Sequence, residues 1–464
     1  MILKNALLFV NGSLQDGALL IINGKIISVI QNNSKNNIKS IQSKNEDKIE
    51  IDCEKRIILP GIIDIHSHLR DMEQSEKETF SSGTLAAAFS GITTVFNMPN
   101  TIPPAINAKQ VKKWMVKAEN KIKINVGFIA GVPNEINLEE IISIIQLGVF
   151  GFKIYPLDSL NGIDWTNYLN VQKLLNISSN MQIPIFIHPD WPISPEGKNE
   201  IFNNGKLNNL PILEVHNMMY PVSLEAKYVN FILDNYYKII TDLDLSAENY
   251  PIIHFCHISC IDSYSLIRKA LDMKPNLKIT FESTPHHLLL DNTLQLSNPN
   301  YGKVLPPLRD KEHSVFLFKE LKEGRINLIG TDHAPHTQRE KAQKYSNAPS
   351  GFPGFETYPL TILDKVFRNE LPLDVFVRVA SENPAEIFNL RTKGFIKEGY
   401  DADLIVVEKI PESPINSGVF KTKAKFSPFE DYKTTVLIWK VFLSGLEINN
   451  DNTEFHGKIL KQPH

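Results

Sequence analysis

The stretch IILPGIIDIHSH, Ile57–His68, decides how this chain is read. Its run Ile57–Ile65 is almost continuously apolar, as suits a parallel strand covered on both faces. It closes on Asp64-Ile65-His66-Ser67-His68, where the two-residue period of a strand sends both imidazoles to one side. Further runs of this kind follow at Thr93–Met98, Ile124–Ala130, Phe150–Tyr155, Ile183–Ile187, Ile252–Cys256, Ile279–Glu282 and Asn327–Gly330. Each leaves room for a helix, with helical periodicity clearest over Ser75–Phe89, Asn137–Leu147, Val222–Tyr237 and Pro359–Arg368. The pattern predicts an α/β fold, a (β/α)8 TIM-like barrel. A doubly wound open sheet competes, but no glycine-rich phosphate fingerprint follows the first strand.

Outside this region the pattern changes. Ala6–Val10, Leu19–Ile22 and Lys25–Val29 are short β-type runs separated by Asn-Gly turns, and Ala402–Val407 and Lys433–Ser444 form a second such region. Together they predict a small β-sandwich built from both chain termini. The expected division is 1–56 for its first part, 57–393 for the barrel, and 394–464 for its second part with a C-terminal tail. The Asn-, Lys- and Ser-rich segment Asn32–Asp47 reads as a polar surface loop.

Composition excludes several classes. A chain of 464 residues can bury a large core, and its three cysteines are too few for a disulfide scaffold, so a reducing, cytoplasmic setting is expected. A net charge of −3 lacks the basic excess of a nucleic-acid binder. The apolar N-terminal patch breaks at Asn11-Gly12 and reads as strand and turn, and no apolar run is long enough to span a membrane.

Barrel strands aim the residues at their C-terminal ends into one site. At those ends this chain places His66 and His68, Lys153, His188, His254 and His257, and Asp332 with His333. One His-X-His pair matches by chance; ligand types recurring at converging strand ends point to a metal centre. A strand-end lysine ordinarily snorkels to water. Inside a metal-lined barrel, a neutral Lys153 amine can instead take up carbon dioxide, giving a carbamate able to bridge two ions. Two bridged ions would acidify a shared water, and the carboxylate of Asp332 can both ligate and move its proton. His216, His313, His456 and His464 stand apart from this constellation.

At these residues the chain resembles the amidohydrolase superfamily and, more narrowly, the lysine-carbamate type of dihydroorotase. The matching stretches are Pro60–Asp71, Asn97–Thr101, Gly151–Tyr155, Pro184–His188, His254–His257, Thr284–His287, Thr331–His336 and Gly351–Glu356, with Gly399–Leu404 at the return to the β region. The resemblance implies two zinc ions per chain, one held by His66, His68 and Asp332, the other by His188 and His257, bridged by carbamylated Lys153. It implies that Arg70, Asn100 and His336 bind the substrate's α-carboxylate, and that Asp332 is the general acid/base. The implied reaction is reversible cyclisation of N-carbamoyl-L-aspartate to L-dihydroorotate in pyrimidine biosynthesis. A homo-oligomer or an association with other enzymes of that pathway stays open, and so do two alternatives: a hydantoinase- or allantoinase-type enzyme, and a non-catalytic scaffold. Leu305 stands where many relatives carry a polar residue, and residues 157–164 after the lysine strand are expected to form a mobile lid.

Overall fold

The computed structural model describes residues 1–31, 49–449 and 457–462. The expected loop Asn32–Asp47, along with His456 and His464, lies outside the described residues. The central strands are β1 (Ile62–Ser67), β2 (Ile92–Asn97), β3 (Asn125–Phe128, resuming as Ala130–Gly131), β4 (Phe152–Ile154), β5 (Ile185–Ile187), β6 (Ile253–Phe255), β7 (Ile279–Ser283) and β8 (Leu328–Ile329). All neighbouring pairs run parallel. The ring changes partners at Ile129, whose N–H bonds Asn97 while that of Ala130 bonds Gly151. It closes where Ser67 bridges His333 and the His68 N–H donates to the His333 carbonyl at 2.7 Å. A helix follows each strand: Phe80–Phe89, Ala108–Ala118, Leu138–Ile145, Tyr168–Met181, Val222–Asp242, Ile261–Met273, Lys311–Lys322 and Tyr358–Phe367. This is a (β/α)8 barrel.

Local chemistry sets the helix starts. Asn107, Asn137 and Asn167 each cap a helix by accepting an N–H of its first turn. The helix expected from Ser75 begins at Phe80, because Thr79 and Ser82 form a reciprocal capping box there. Two extra helices, Pro195–Leu207 and Ile212–Met219, stand between β5 and its outer helix.

The chain ends share one eight-stranded sheet. Ile57–Pro60 belongs to it, pairing with Leu7–Leu8 on one side and Leu404–Val407 on the other. The apolar run Ile57–Ile65 therefore serves two sheets and divides at Gly61, where a Cβ would stand 2.3 Å from Thr93 Oγ1. The sheet encloses its own core, including Leu3, Leu19, Ile58, Leu404 and Phe442. Residues 458–460 return to the barrel, where Ile459 bridges Val126 on the part of β3 that β4 does not cover. Among the described residues no helix is long and apolar enough to cross a membrane.

The barrel interior is sealed below the site by Ile63, Ile65, Phe96, Phe150, Phe186 and Phe388. In β1 the register shifts between Asp64 and Ser67. That irregularity lets Ile65 fill the floor while His66, the next residue, also reaches the interior donor groups.

Candidate metal centre and substrate cavity

His66, His68 and Asp332 bring donor atoms within 4.8 Å of one another, all three buried. Asp332 Oδ1 lies 2.9 Å from His68 Nε2 and 3.4 Å from His66 Nε2. Across the ring, His188 Nδ1 and His257 Nε2 face each other at 3.0 Å. Those four nitrogens turn inward, and oxygen atoms stand behind most of the rings. The Glu282 carboxylate accepts from His66 Nδ1, and Asn100 Oδ1 accepts from His68 Nδ1 at 2.5 Å. Such partners orient the rings and, in a neutral imidazole, put the lone pair on the inner nitrogen.

Strained backbone accompanies the site. His257 and Asp332 hold φ at 35° and 47°, and Arg70 at 55°. Left-handed conformations of non-glycine residues collect at functional positions, where neighbouring structure enforces them. Around Asp332 that structure is Asp64, which accepts from the Thr331 N–H and hydroxyl at 3.0 and 2.5 Å.

The electrostatics differ among these histidines. Burial holds His68 as neutral imidazole, its pKa down to about 4, and pushes His257 far down as well, with its neighbour His188 adding to the effect. Burial and Lys153 also disfavour charge on His66, but the carboxylate of Glu282 outweighs them and raises its pKa to about 10. Burial opposes ionisation of Asp332, yet His66 and His68 hold its carboxyl below the usual range.

Lys153 is 2% exposed, and its Nζ has no hydrogen-bond partner among the described residues. An orphaned buried amine at a strand end fits conversion to a bridging carbamate, since a lone buried ammonium is costly. Its neighbour on the same face, Tyr155, is likewise buried with an unpartnered hydroxyl.

A cavity of about 250 Å³ opens over these groups, lined by His66, His68, Arg70, Asn100, Tyr155, His188, His257 and Asp332. Leu157, Asp158 and Leu160 of the expected lid form one wall, and Leu305, Ser350 and Gly351 form others. Arg70 donates from Nε to the Pro335 carbonyl at 3.3 Å and sets one terminal nitrogen 3.3 Å from His336 Nε2. His336, which also bonds the Ser350 carbonyl at 3.0 Å, is absent from the cavity wall and stands behind Arg70.

Three features escaped the sequence reading. Glu282 is fully buried and touches His66, the His257 N–H at 3.2 Å and His254 at 3.4 Å. Its signal was a carboxylate near the C-terminal end of a barrel strand. Cys256, whose packing in the floor follows from strand alternation, also brings Sγ within 4.8 Å of donor atoms of His66 and Glu282. Asp190, two residues beyond His188, sits 3.0 Å from His188 Nε2. The remaining histidines are mostly absorbed by structure: His333 stacks on Phe355, and His287 bonds Thr284 and the Pro306 carbonyl.

Comparison with known proteins places this geometry in context. Residues 55–156 match the family model described as dihydro-orotase-like, and residues 235–445 match the amidohydrolase family. The chain is 32% identical to a dihydroorotase of Methanosphaera stadtmanae over 88% of its own length and 90% of the relative's. It is 32% identical to one of Methanosarcina acetivorans, covering 92% of this chain and 87% of that protein. Against a dihydroorotase of Bacillus cereus the identity is 31%, covering 89% and 90%. Among solved structures, an L-hydantoinase from Arthrobacter aurescens superposes with a TM-score of 0.85 at 23% identity, covering 99% of this chain and 97% of that one. A dihydropyrimidinase from Brevibacillus agri gives 0.84 at 21%, covering 99% and 98%. At those identities the superpositions speak to the fold alone.

Proposed function

This chain belongs to the dihydroorotases, cyclic amide hydrolases of the amidohydrolase family, and from that premise we propose how its own residues carry out the reaction. The reaction is L-dihydroorotate plus water in reversible exchange with N-carbamoyl-L-aspartate. Carrying this reading is one observation: a buried cluster of His66, His68 and Asp332 and the guanidinium of Arg70, which forms no ion pair among the described residues, open into the same cavity.

His66, His68 and Asp332 would hold one zinc ion, and His188 and His257 the second. Lys153, as its carbamate, would join them. Bound there, the ions supply an acidified water and a Lewis acid for the ring carbonyl. Arg70 and the amide nitrogen of Asn100 take the substrate's α-carboxylate, a planar acceptor suited to the guanidinium fork. His336, whose Nε2 donates to the Ser350 carbonyl, packs beside Arg70. Asp332, kept ionised by His66 and His68, accepts the proton of the attacking water and passes it to the ring nitrogen as the amide C–N bond breaks. In the synthetic direction the same carboxylate takes the ureido proton. Leu157, Asp158 and Leu160 narrow water access from above.

Turnover of L-dihydroorotate, hydantoin and allantoin, measured alongside metal content per chain, tests the reading. Dihydroorotate is expected to be turned over fastest by protein holding two zinc ions. Preference for hydantoin or allantoin overturns the substrate assignment, and zero turnover from metal-replete protein supports a non-catalytic scaffold.

A further inference from the structure

Asp190 is 1% exposed, and neither of its carboxylate oxygens has a hydrogen-bond partner among the described residues. Burying a carboxylate this way is expensive unless a neighbour compensates for it. The nearby candidate is His188, whose Nε2 lies 3.0 Å from Asp190 Oδ2. That nitrogen too is buried and lacks a hydrogen-bond partner. Pro189, with its restricted φ, separates the two residues and shortens the ways the turn can relax.

The other face of the same ring settles what this pairing does. His188 Nδ1 points at His257 Nε2, 3.0 Å away. Two such nitrogens can share one cation only if both present lone pairs. A neutral His188 with its lone pair on Nδ1 must carry its proton on Nε2, directly beside Asp190. The arrangement parallels the first pair of ligands, where Glu282 stands behind His66 and Asn100 behind His68.

We propose that Asp190 is the positioning residue of the second ion: its carboxylate, 3.0 Å from Nε2 of His188, favours the proton on that nitrogen, keeps Nδ1 as the ligating lone pair and adds a negative charge behind that ligand. This rests on reading His188 and His257 as a metal pair. Glu282 and Asp190 then divide the work, one carboxylate behind a ligand of each ion.

The experiment titrates zinc into metal-free full-length chain against a chromophoric chelator, comparing wild type with Asp190→Asn and Asp190→Ala. Folding is checked by circular dichroism. Wild type is expected to show two affinities. In Asp190→Asn, whose side chain keeps its size but carries no charge, the weaker affinity is expected to fall about tenfold. In Asp190→Ala it falls toward 100-fold. The tighter affinity stays within threefold in both, a selectivity that general loosening of the fold does not produce. A folded Asp190→Asn chain with both affinities within threefold of wild type overturns the proposal, as does a wild type that takes up fewer than two ions. Wild type that binds two ions yet fails to turn over dihydroorotate removes the substrate assignment and leaves this one standing.

Discussion

Replacing Arg70 with methionine removes a guanidinium while keeping most of the side-chain volume. Arg70 is buried at the cavity, bonds the Pro335 carbonyl, neighbours His336 and forms no ion pair among the described residues. Its donors are thus reserved for an anion that arrives with the substrate. Truncating one partner of a buried, hydrogen-bonded charge pair costs about 2–5 kcal/mol. The middle of that range, about 3–4 kcal/mol, is roughly 150- to 900-fold in kcat/KM. L-Dihydroorotate and 5,6-dihydrouracil share a ring and differ in the carboxylate, so assaying both isolates the contact. The variant is expected to lose this factor on dihydroorotate and nothing comparable on dihydrouracil. Burial also disfavours the charged form of Arg70, so the ligand-free variant should melt no lower than wild type, while dihydroorotate should no longer raise its Tm. An equal loss on both rings, or a loss below fivefold on dihydroorotate, refutes the assignment.

Lys153→Ala is expected to lower zinc content below two per chain and cut turnover by several kcal/mol of charge stabilisation, roughly 10³-fold; unchanged metal content and rate would remove the carbamate. A second change concerns pH. Burial raises the Glu356 carboxyl to about 7, against the pull of the Lys421 and Thr422 N–H groups. An unfolded glutamate titrates near 4.3. Between those values the folded chain holds a proton the unfolded chain has released, so this group's contribution to stability falls as pH rises from about 4.5 to about 7. Glu356→Gln should flatten that slope, gaining on the order of 2–3 kcal/mol relative to wild type between pH 5 and 8; parallel Tm curves across the window would contradict it.

The parts of the site readable in sequence are those whose geometry follows from strand period and strand end. His66, His68 and Asp332 meet because β1 and the loop after β8 are neighbours in a closed ring. The supporting carboxylates were harder to find. Glu282 sits at the same strand-end level as the proposed ligands but bonds the outer nitrogen of His66, and no periodicity reveals which nitrogen a carboxylate will meet. Asp190 follows a proline in irregular backbone, where direction is set by tertiary packing. The apolar run Ile57–Ile65 looked like one strand because composition does not show a change of sheet; Gly61 marks it, through the close approach of Thr93. His336, expected with Arg70 as a substrate contact, does stand 3.3 Å from it, and that proximity depends on how residues 334–351 fold back over the barrel mouth.

The strand Ile57–Pro60, held between Leu7–Leu8 and Leu404–Val407, also has a consequence during synthesis. Its second partner emerges from the ribosome almost 350 residues later, roughly 20–70 s at the usual rate of elongation. Until then the nascent chain carries an unpaired apolar edge, the kind of surface on which other chains add strands. The barrel seam between Ser67 and His333 waits nearly as long. Because that seam also brings His66 and His68 to Asp332, a metal ion proposed to be held by all three could not be captured before ring closure. A chain released early would therefore be both sticky and unable to assemble its first ion site, and metal occupancy would report that translation and folding had both finished.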